Sequence, residues 1–309
     1  MLNVLFSTRQ EAWGEYHELL SSAFASAGLD VVLATDHAPE TVDYVVYAPN
    51  GGLQDFTAFA RCKGVLSLWA GVETIIDNPT LTQPVARMVD DSLTQGMVEW
   101  VIGHVLRHHL GMDAHILVQD GTWQPHFPPL AKTRAVTILG LGALGLACGK
   151  ALVTLGFQVR GWSRNAKTDA NITCFHGPDG LKDALRDADM VVGLLPDTPA
   201  TTNILNAETL ALLKRGSFVI NPGRGPLIDD DALIAALDDG QITHATLDVF
   251  RIEPLPVDHP FWAHPNVTVT PHIASTTRPD TASRIIAENI ARNEAGHGLA
   301  NLVDRSAGY

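Results

Sequence analysis

Short apolar runs alternate with amphipathic segments along most of the chain. The first run, "LNVLFST", reads as a strand, and "EAWGEYHELLSSAFASAG" after it reads as a helix. "DVVLATD", "VDYVVYAP" and "GVLSLWAG" read as further strands. From Asp91 the spacing turns helical. In "DSLTQGMVEWVIGHVLRHHLG" the residues Met97, Trp100, Val101, His104 and Val105 recur at helical intervals. "QDGTWQPHFPPLAKT" is rich in proline and polar residues and reads as a connector. The alternation then resumes. "AVTILG", "FQVRGWS", "DMVVGLLP", "SFVINPG", "HATLDVF" and "NVTVTPH" read as strands. "DDDALIAALDDG" is a helix with an acidic start and Gly240 as its stop. "TRPDTASRIIAENIARNEAG" closes the pattern as a long helix. Such alternation predicts an α/β fold with mostly parallel strands.

At 309 residues the chain is long enough for two domains, each with its own core. A net charge of −13 argues against nucleic acid or an anionic membrane as a partner. No apolar run is long enough to span a bilayer. "MLNVLFSTRQ" lacks the basic leader and apolar stretch of a signal peptide, so a cytoplasmic location is expected. Cys62, Cys148 and Cys174 are scattered and form no CxxC pair, so neither a disulfide framework nor a zinc site is expected. His104, His108 and His109 include a pair at i and i+4, but no matching Glu motif or third ligand accompanies them. Packing and a polar helix end account for them better than a metal does.

The stretch "VTILGLGALG" breaks a strand into three glycines, Gly140, Gly142 and Gly145, with Ala143 and Leu144 between them. A strand, this glycine spacing, a helix and a second strand form the setting that binds a dinucleotide. The glycines permit a tight turn, close approach of a pyrophosphate and close helix–strand packing. The helix start then offers unpaired N–H groups to the phosphates. An NAD site carries an acidic residue near the end of the second strand. Here that place holds Ser163, followed by Arg164, with Lys167 close behind. A 2′-phosphate is not repelled there, and a guanidinium can pair with it. The expected cofactor is NADP(H), with NAD(H) as the alternative.

Three charged or titratable residues follow strand ends. Arg224 comes after "SFVINPG", Glu253 after "HATLDVF" and His272 after "NVTVTP". Ligands of open α/β sheets bind at the carboxyl ends of strands. This trio suits reduction of a 2-oxo acid. A histidine protonates the nascent alkoxide, a carboxylate orients that histidine, and a guanidinium binds the substrate carboxylate and polarises the carbonyl.

"GLGALG", "LLPDTPATTNIL", "INPGRGPLIDDDAL", "LDVFRIEPLP" and "VTVTPHIAS" together resemble the D-isomer-specific 2-hydroxyacid dehydrogenase family. "SLWAGVETI" and the ending "NLVDRSAGY" resemble its glyoxylate/hydroxypyruvate reductase A branch. The resemblance implies Arg224 as substrate binder, His272 as acid/base and Glu253 as its partner. It places Asp248 at the nicotinamide carboxamide and Leu195 and Pro196 along the cofactor. Trp69, Ala70 and Gly71 would present backbone N–H groups to the substrate carboxylate. Tyr47, at another strand end, either faces the pocket or is a plain core tyrosine. It also implies a Rossmann-type doubly wound cofactor domain over 93–277. A smaller flavodoxin-like substrate domain would be formed from 1–92 and 278–309. A homodimer and a small 2-oxo acid substrate, glyoxylate or hydroxypyruvate, complete the expectation. The alternatives are a dehydrogenase of bulkier 2-keto acids and a non-catalytic NAD(P)-sensing regulator.

Overall fold

Most strand residues of both sheets are buried on both faces, which is why these strands read as near-continuous apolar runs. The computed structural model describes residues 1–117 and 119–305, so the last four residues of "NLVDRSAGY" lie outside the described part. Twelve strands and six helices of nine or more residues are found among the described residues. The helices are α1 (Ala12–Ser26), α2 (Asp91–Leu110), α3 (Ala143–Thr154), α4 (Gly177–Leu185), α5 (Asp230–Asp238) and α6 (Pro279–Glu294).

The chain divides into two compact units. The first comprises Met1–Leu93 and Thr276–Tyr309. Its strands are β1 (Leu2–Ser7), β2 (Val31–Ala34), β3 (Tyr44–Tyr47), β4 (Gly64–Ser67) and β5 (Val85–Ala86). They pair in parallel in the order β2-β1-β3-β4-β5, the flavodoxin-like order. On α1, Ala12, Tyr16, Leu20 and Phe24 recur every fourth residue and share one core with Ala282, Ile286 and Ile290 of α6. Leu5, Val45, Val65 and Phe56 form the core on the other face.

The second unit is Thr94–Ser275. Its strands are β6 (Ala135–Leu139), β7 (Gln158–Ser163), β8 (Thr173–His176), β9 (Met190–Gly193), β10 (Ser217–Asn221), β11 (Ile242–Leu247) and β12 (Val267–Val269). The order is β12-β11-β10-β9-β6-β7-β8, parallel throughout. Strand order reverses between β6 and β9, which opens a crevice at the carboxyl edge of the sheet. Met97, Val101 and Val105 of α2 pack with Val136, Ile138 and Val192 on one face. Leu185 of α4 and Leu233 of α5 pack with Leu139, Val191 and Val219 on the other. The α/β class expected from the alternation is therefore observed. Two strands escaped the pattern: β5 is two residues long, and β8 is a half-exposed sheet edge with a mixed sequence.

The histidines of α2 lie inside this unit. His108 is buried, stacks on Phe218 with ring centroids 4.7 Å apart, and meets Thr246 Oγ1 through Nε2 at 2.9 Å. Burial, followed by His244 and Arg107 nearby, lowers its pKa to about 3. The neutral ring is thus the native form. Its contribution to stability is complete above the unfolded pKa near 6.5 and is lost as pH falls toward 3. At about 1.4 kcal/mol per pH unit, this is roughly 2 kcal/mol between pH 6.5 and pH 5. Urea unfolding at pH 7 and pH 5 should show a smaller loss in His108→Gln than in the parent by about that amount. Equal losses would remove His108 as the cause.

Candidate active site

The glycine turn lies at the carboxyl end of β6, on the crevice. Gly140 has φ +106°, and a Cβ on it would stand 2.5 Å from Leu194 O. A Cβ on Gly145 would stand 1.8 Å from Gly140 O, so the first turn of α3 rests directly on the bend. Gly142 differs. It is exposed, it caps α3 without a side-chain hydrogen bond, and no atom lies within 4 Å of where its Cβ would be. Ala143 is exposed and Leu144 half-buried. Open space at a helix N-terminus suits an anion such as a pyrophosphate. The residues present therefore fit a dinucleotide.

Strand β7 ends at Ser163, whose Oγ donates to Asn165 O at 2.8 Å. Arg164 is exposed just beyond it. Lys167 folds back and donates from Nζ to Leu141 O at 2.6 Å, which fixes an ammonium on the glycine turn. The end of β7 thus carries a hydroxyl and two cations where an adenosine-ribose carboxylate would otherwise stand. After β9, Leu195 is buried in the core with Leu139 and Trp162, and Pro196 is half-buried.

Three neighbouring strands bring the trio to the same edge. Arg224 follows β10, Glu253 follows β11 and His272 follows β12. Nδ1 of His272 donates to Glu253 Oε2 at 2.7 Å, and Glu253 Oε1 accepts from Phe250 N at 2.9 Å. The carboxylate is therefore held from both sides. Both side chains remain accessible, His272 at 52%. His272 has φ +54°, a left-handed conformation that costs a non-glycine residue on the order of 1–2 kcal/mol. Its own N–H donates to Asp248 O at 2.9 Å.

Arg224 is half-buried, and its Nη1 donates to Gly223 O at 2.7 Å. Buried Asn221 closes this turn, accepting from Gly223 N at 3.2 Å and donating to Arg224 O at 2.9 Å. A Cβ on Gly225 would lie 1.9 Å from the carbonyl carbon of Phe250. Only glycine lets the Arg224 turn lie flat against the turn that carries Glu253.

Two of the expected site residues are buried. Asp248 lies beside His272, whose N–H donates to its carbonyl. It is fully buried, and its carboxylate accepts from Thr270 Oγ1 at 2.6 Å, Ile273 N at 2.9 Å and Ala274 N at 2.8 Å. Those bonds clamp the backbone on both sides of His272. Tyr47 is a core residue. Its ring is buried edge-on to Phe56, and its hydroxyl donates to Leu53 O at 3.2 Å. Strand β3 is covered on both faces and leaves no side chain for a pocket.

In the first unit, the turn at residues 69–71 follows β4. Trp69 is 40% exposed while its backbone is fixed: its N–H donates to Ser67 Oγ at 2.9 Å, and its carbonyl accepts from Met88 N at 3.1 Å. Ala70 and Gly71 are half-buried. Among the described residues no group of three or more His, Cys, Asp or Glu is arranged to hold a metal, and no helix is long and apolar enough to cross a membrane. Sequence reasoning passed over Asn221, Gly225 and Thr270. The first two lie inside the quoted motif "INPGRGPLIDDDAL" and the third inside "VTVTPHIAS".

Residues 101–274 match the family model for D-isomer specific 2-hydroxyacid dehydrogenase, NAD binding domain. The glyoxylate/hydroxypyruvate reductase A of Serratia proteamaculans is 40% identical over 257 residues, covering 81% of this chain and 82% of the relative. A D-isomer specific 2-hydroxyacid dehydrogenase from Xanthobacter autotrophicus, solved with NADPH and MES, superposes with a TM-score of 0.91 at 41% identity over 100% of this chain and 99% of its own. An NADPH-dependent glyoxylate/hydroxypyruvate reductase from Sinorhizobium meliloti, solved with NADP and sulfate, gives 0.88 at 33% identity over the whole of both chains.

Proposed function

We propose a reaction for this site from one premise: the chain belongs to the D-isomer specific 2-hydroxyacid dehydrogenase family. It is an NADPH-preferring reductase that converts small 2-oxo acids, glyoxylate and hydroxypyruvate, to 2-hydroxy acids. The observation that carries this reading is the His272–Glu253 pair beside the Arg224 turn, on the same sheet edge as the glycine turn.

The reduced nicotinamide supplies the hydride when bound. His272 gives its proton to the carbonyl oxygen as that oxygen gains charge, so carbonyl, hydride and proton become an alcohol. Glu253 stabilises the charged imidazole and fixes its orientation through Nδ1. Arg224 binds the substrate carboxylate and draws electron density from the carbonyl. Gly140, Gly142 and Gly145 hold the pyrophosphate, and Ser163, Arg164 and Lys167 receive the 2′-phosphate. The second unit is the dinucleotide-binding domain and the first the substrate domain. A non-catalytic sensor would have no use for the complete trio.

The chain acts in the cytoplasm as a homodimer. Supporting the dimer is a run of exposed apolar side chains near the end of α2 and in the connector. Trp123 is 96% and Phe127 85% exposed, with Ile116, Leu117 and Leu130 close in sequence. So much apolar surface is suited to a second copy of the chain, and a monomer in sedimentation would remove this part of the reading.

The test is a panel of glyoxylate, hydroxypyruvate, pyruvate and a branched 2-keto acid, each with NADPH and NADH. Rapid loss of NADPH absorbance with the first two is the expected result. Turnover with bulky acids alone would overturn the substrate class. Tight NADPH binding without turnover would overturn the enzyme.

A further inference from the structure

We propose that Arg251 is a positioning residue for this reaction, fastening the turn that presents Glu253 to His272. The proposal rests on the acid/base reading of that pair. Arg251 stands two residues before Glu253 in the turn after β11. Its Nη2 donates to Asn203 Oδ1 and to Ile228 O. Its Nε lies 3.7 Å from Asp230 Oδ1.

These acceptors belong to two segments that are already joined. Asn203 N donates to Pro226 O at 2.8 Å, Leu205 N to Leu227 O at 3.0 Å, and Asp229 N to Leu205 O at 2.9 Å. The segment at 226–229 continues directly from Arg224 and Gly225. One guanidinium therefore ties the turn bearing Glu253 to the chain leaving Arg224. Asn203 has φ +55°, and it offers Arg251 an acceptor from a conformation that asparagine tolerates better than most residues.

The turn needs such a tether. Phe250 is its last buried residue, Ile252 is 66% exposed, and Leu255 is only partly buried against the core. A segment with little buried apolar surface opens at low cost. The ion pair to Asp230 is partly exposed and worth little alone. A planar fork shared between two acceptors restrains direction as well as distance. The charged groups facing Arg251 are Asp230, with His259 at 3.7 Å from its other oxygen, and the adjacent Asp229 and Asp231. The group facing Glu253 is His272.

The consequence is chemical. A carboxylate at 2.7 Å favours the imidazolium, the form that gives up the proton. When the turn drifts, the pair lengthens and the imidazolium loses that stabilisation. The experiment is a double-mutant cycle of Arg251→Ala and Glu253→Gln, read as kcat for glyoxylate with NADPH across pH. Arg251→Ala is expected to lower kcat about tenfold and to move the alkaline limb of the profile down by about one pH unit, as Glu253→Gln does. NADPH affinity stays at the parent value. The double variant is no slower than Glu253→Gln alone, and Arg251→Lys recovers part of both effects. Should Arg251→Ala fail to fold, Arg251→Lys carries the same cycle. Losses that multiply in the double variant overturn the proposal. An impaired Glu253→Gln beside an unaffected Arg251→Ala also overturns it, and leaves the acid/base reading standing. A Glu253→Gln variant with the parent rate and profile overturns that reading and this proposal together.

Discussion

Replacing His272 by alanine is expected to lower kcat for glyoxylate reduction by about 10²–10⁴-fold while NADPH binding is unchanged. The expectation follows from position. His272 sits past β12, outside the glycine turn, so its removal leaves the residues assigned to the dinucleotide intact. Alanine also relieves none of the backbone constraint, because Asp248 holds the flanking amides through its own carboxylate. The lost activity is then the lost proton donor. Two measurements separate this from a general defect: NADPH fluorescence titration for binding, and stopped-flow absorbance for hydride transfer. Parent turnover in the variant would sink the acid/base assignment. Loss of NADPH binding together with turnover would mean that His272 holds the fold of the edge rather than the proton.

For Arg164→Asp the expected result is an inversion of cofactor choice, with the NADPH/NADH ratio of kcat/KM falling by about 10²-fold. Two terms act in one direction. The variant removes a cation suited to the 2′-phosphate and sets a carboxylate against it, and that carboxylate can accept hydrogen bonds from the ribose hydroxyls of NADH. Lys167 still stands on the glycine turn through Leu141 O, so some affinity for the phosphate remains. The exposed position of Arg164 makes the effect dependent on salt. The ratio should be measured at low and at moderate ionic strength. An unchanged ratio at both would move the cofactor preference to other residues.

Much of this was legible from residue order because backbone chemistry leaves local marks. Three glycines in a strand-to-helix bend have few other uses, and Gly140 and Gly145 indeed occupy places where a Cβ would collide with backbone. Arg224, Glu253 and His272 were legible as polar residues just past apolar runs. What stayed hidden depended on where side chains turn. Asp248 lies in the same strand-end segment as Glu253, but it points inward to amides contributed by residues 273 and 274, which no local pattern connects to it. Tyr47 ends a strand that has no open face. Arg251 reads as an ordinary loop cation until its acceptors, 48 and 23 residues away, are seen.

The first unit is written in two pieces, and this orders events during synthesis. Its opening 93 residues emerge first, yet the helix α6 that completes the core around Leu20 and Phe24 is made nearly two hundred residues later. The second unit, continuous from Thr94 to Ser275, can close its own sheet in the interval. The earlier segment of this unit is thus finished after the whole of the second unit. Until Ile286 and Ile290 arrive, the part of α1 that packs on α6 waits uncovered, a span in which a chaperone has something to hold.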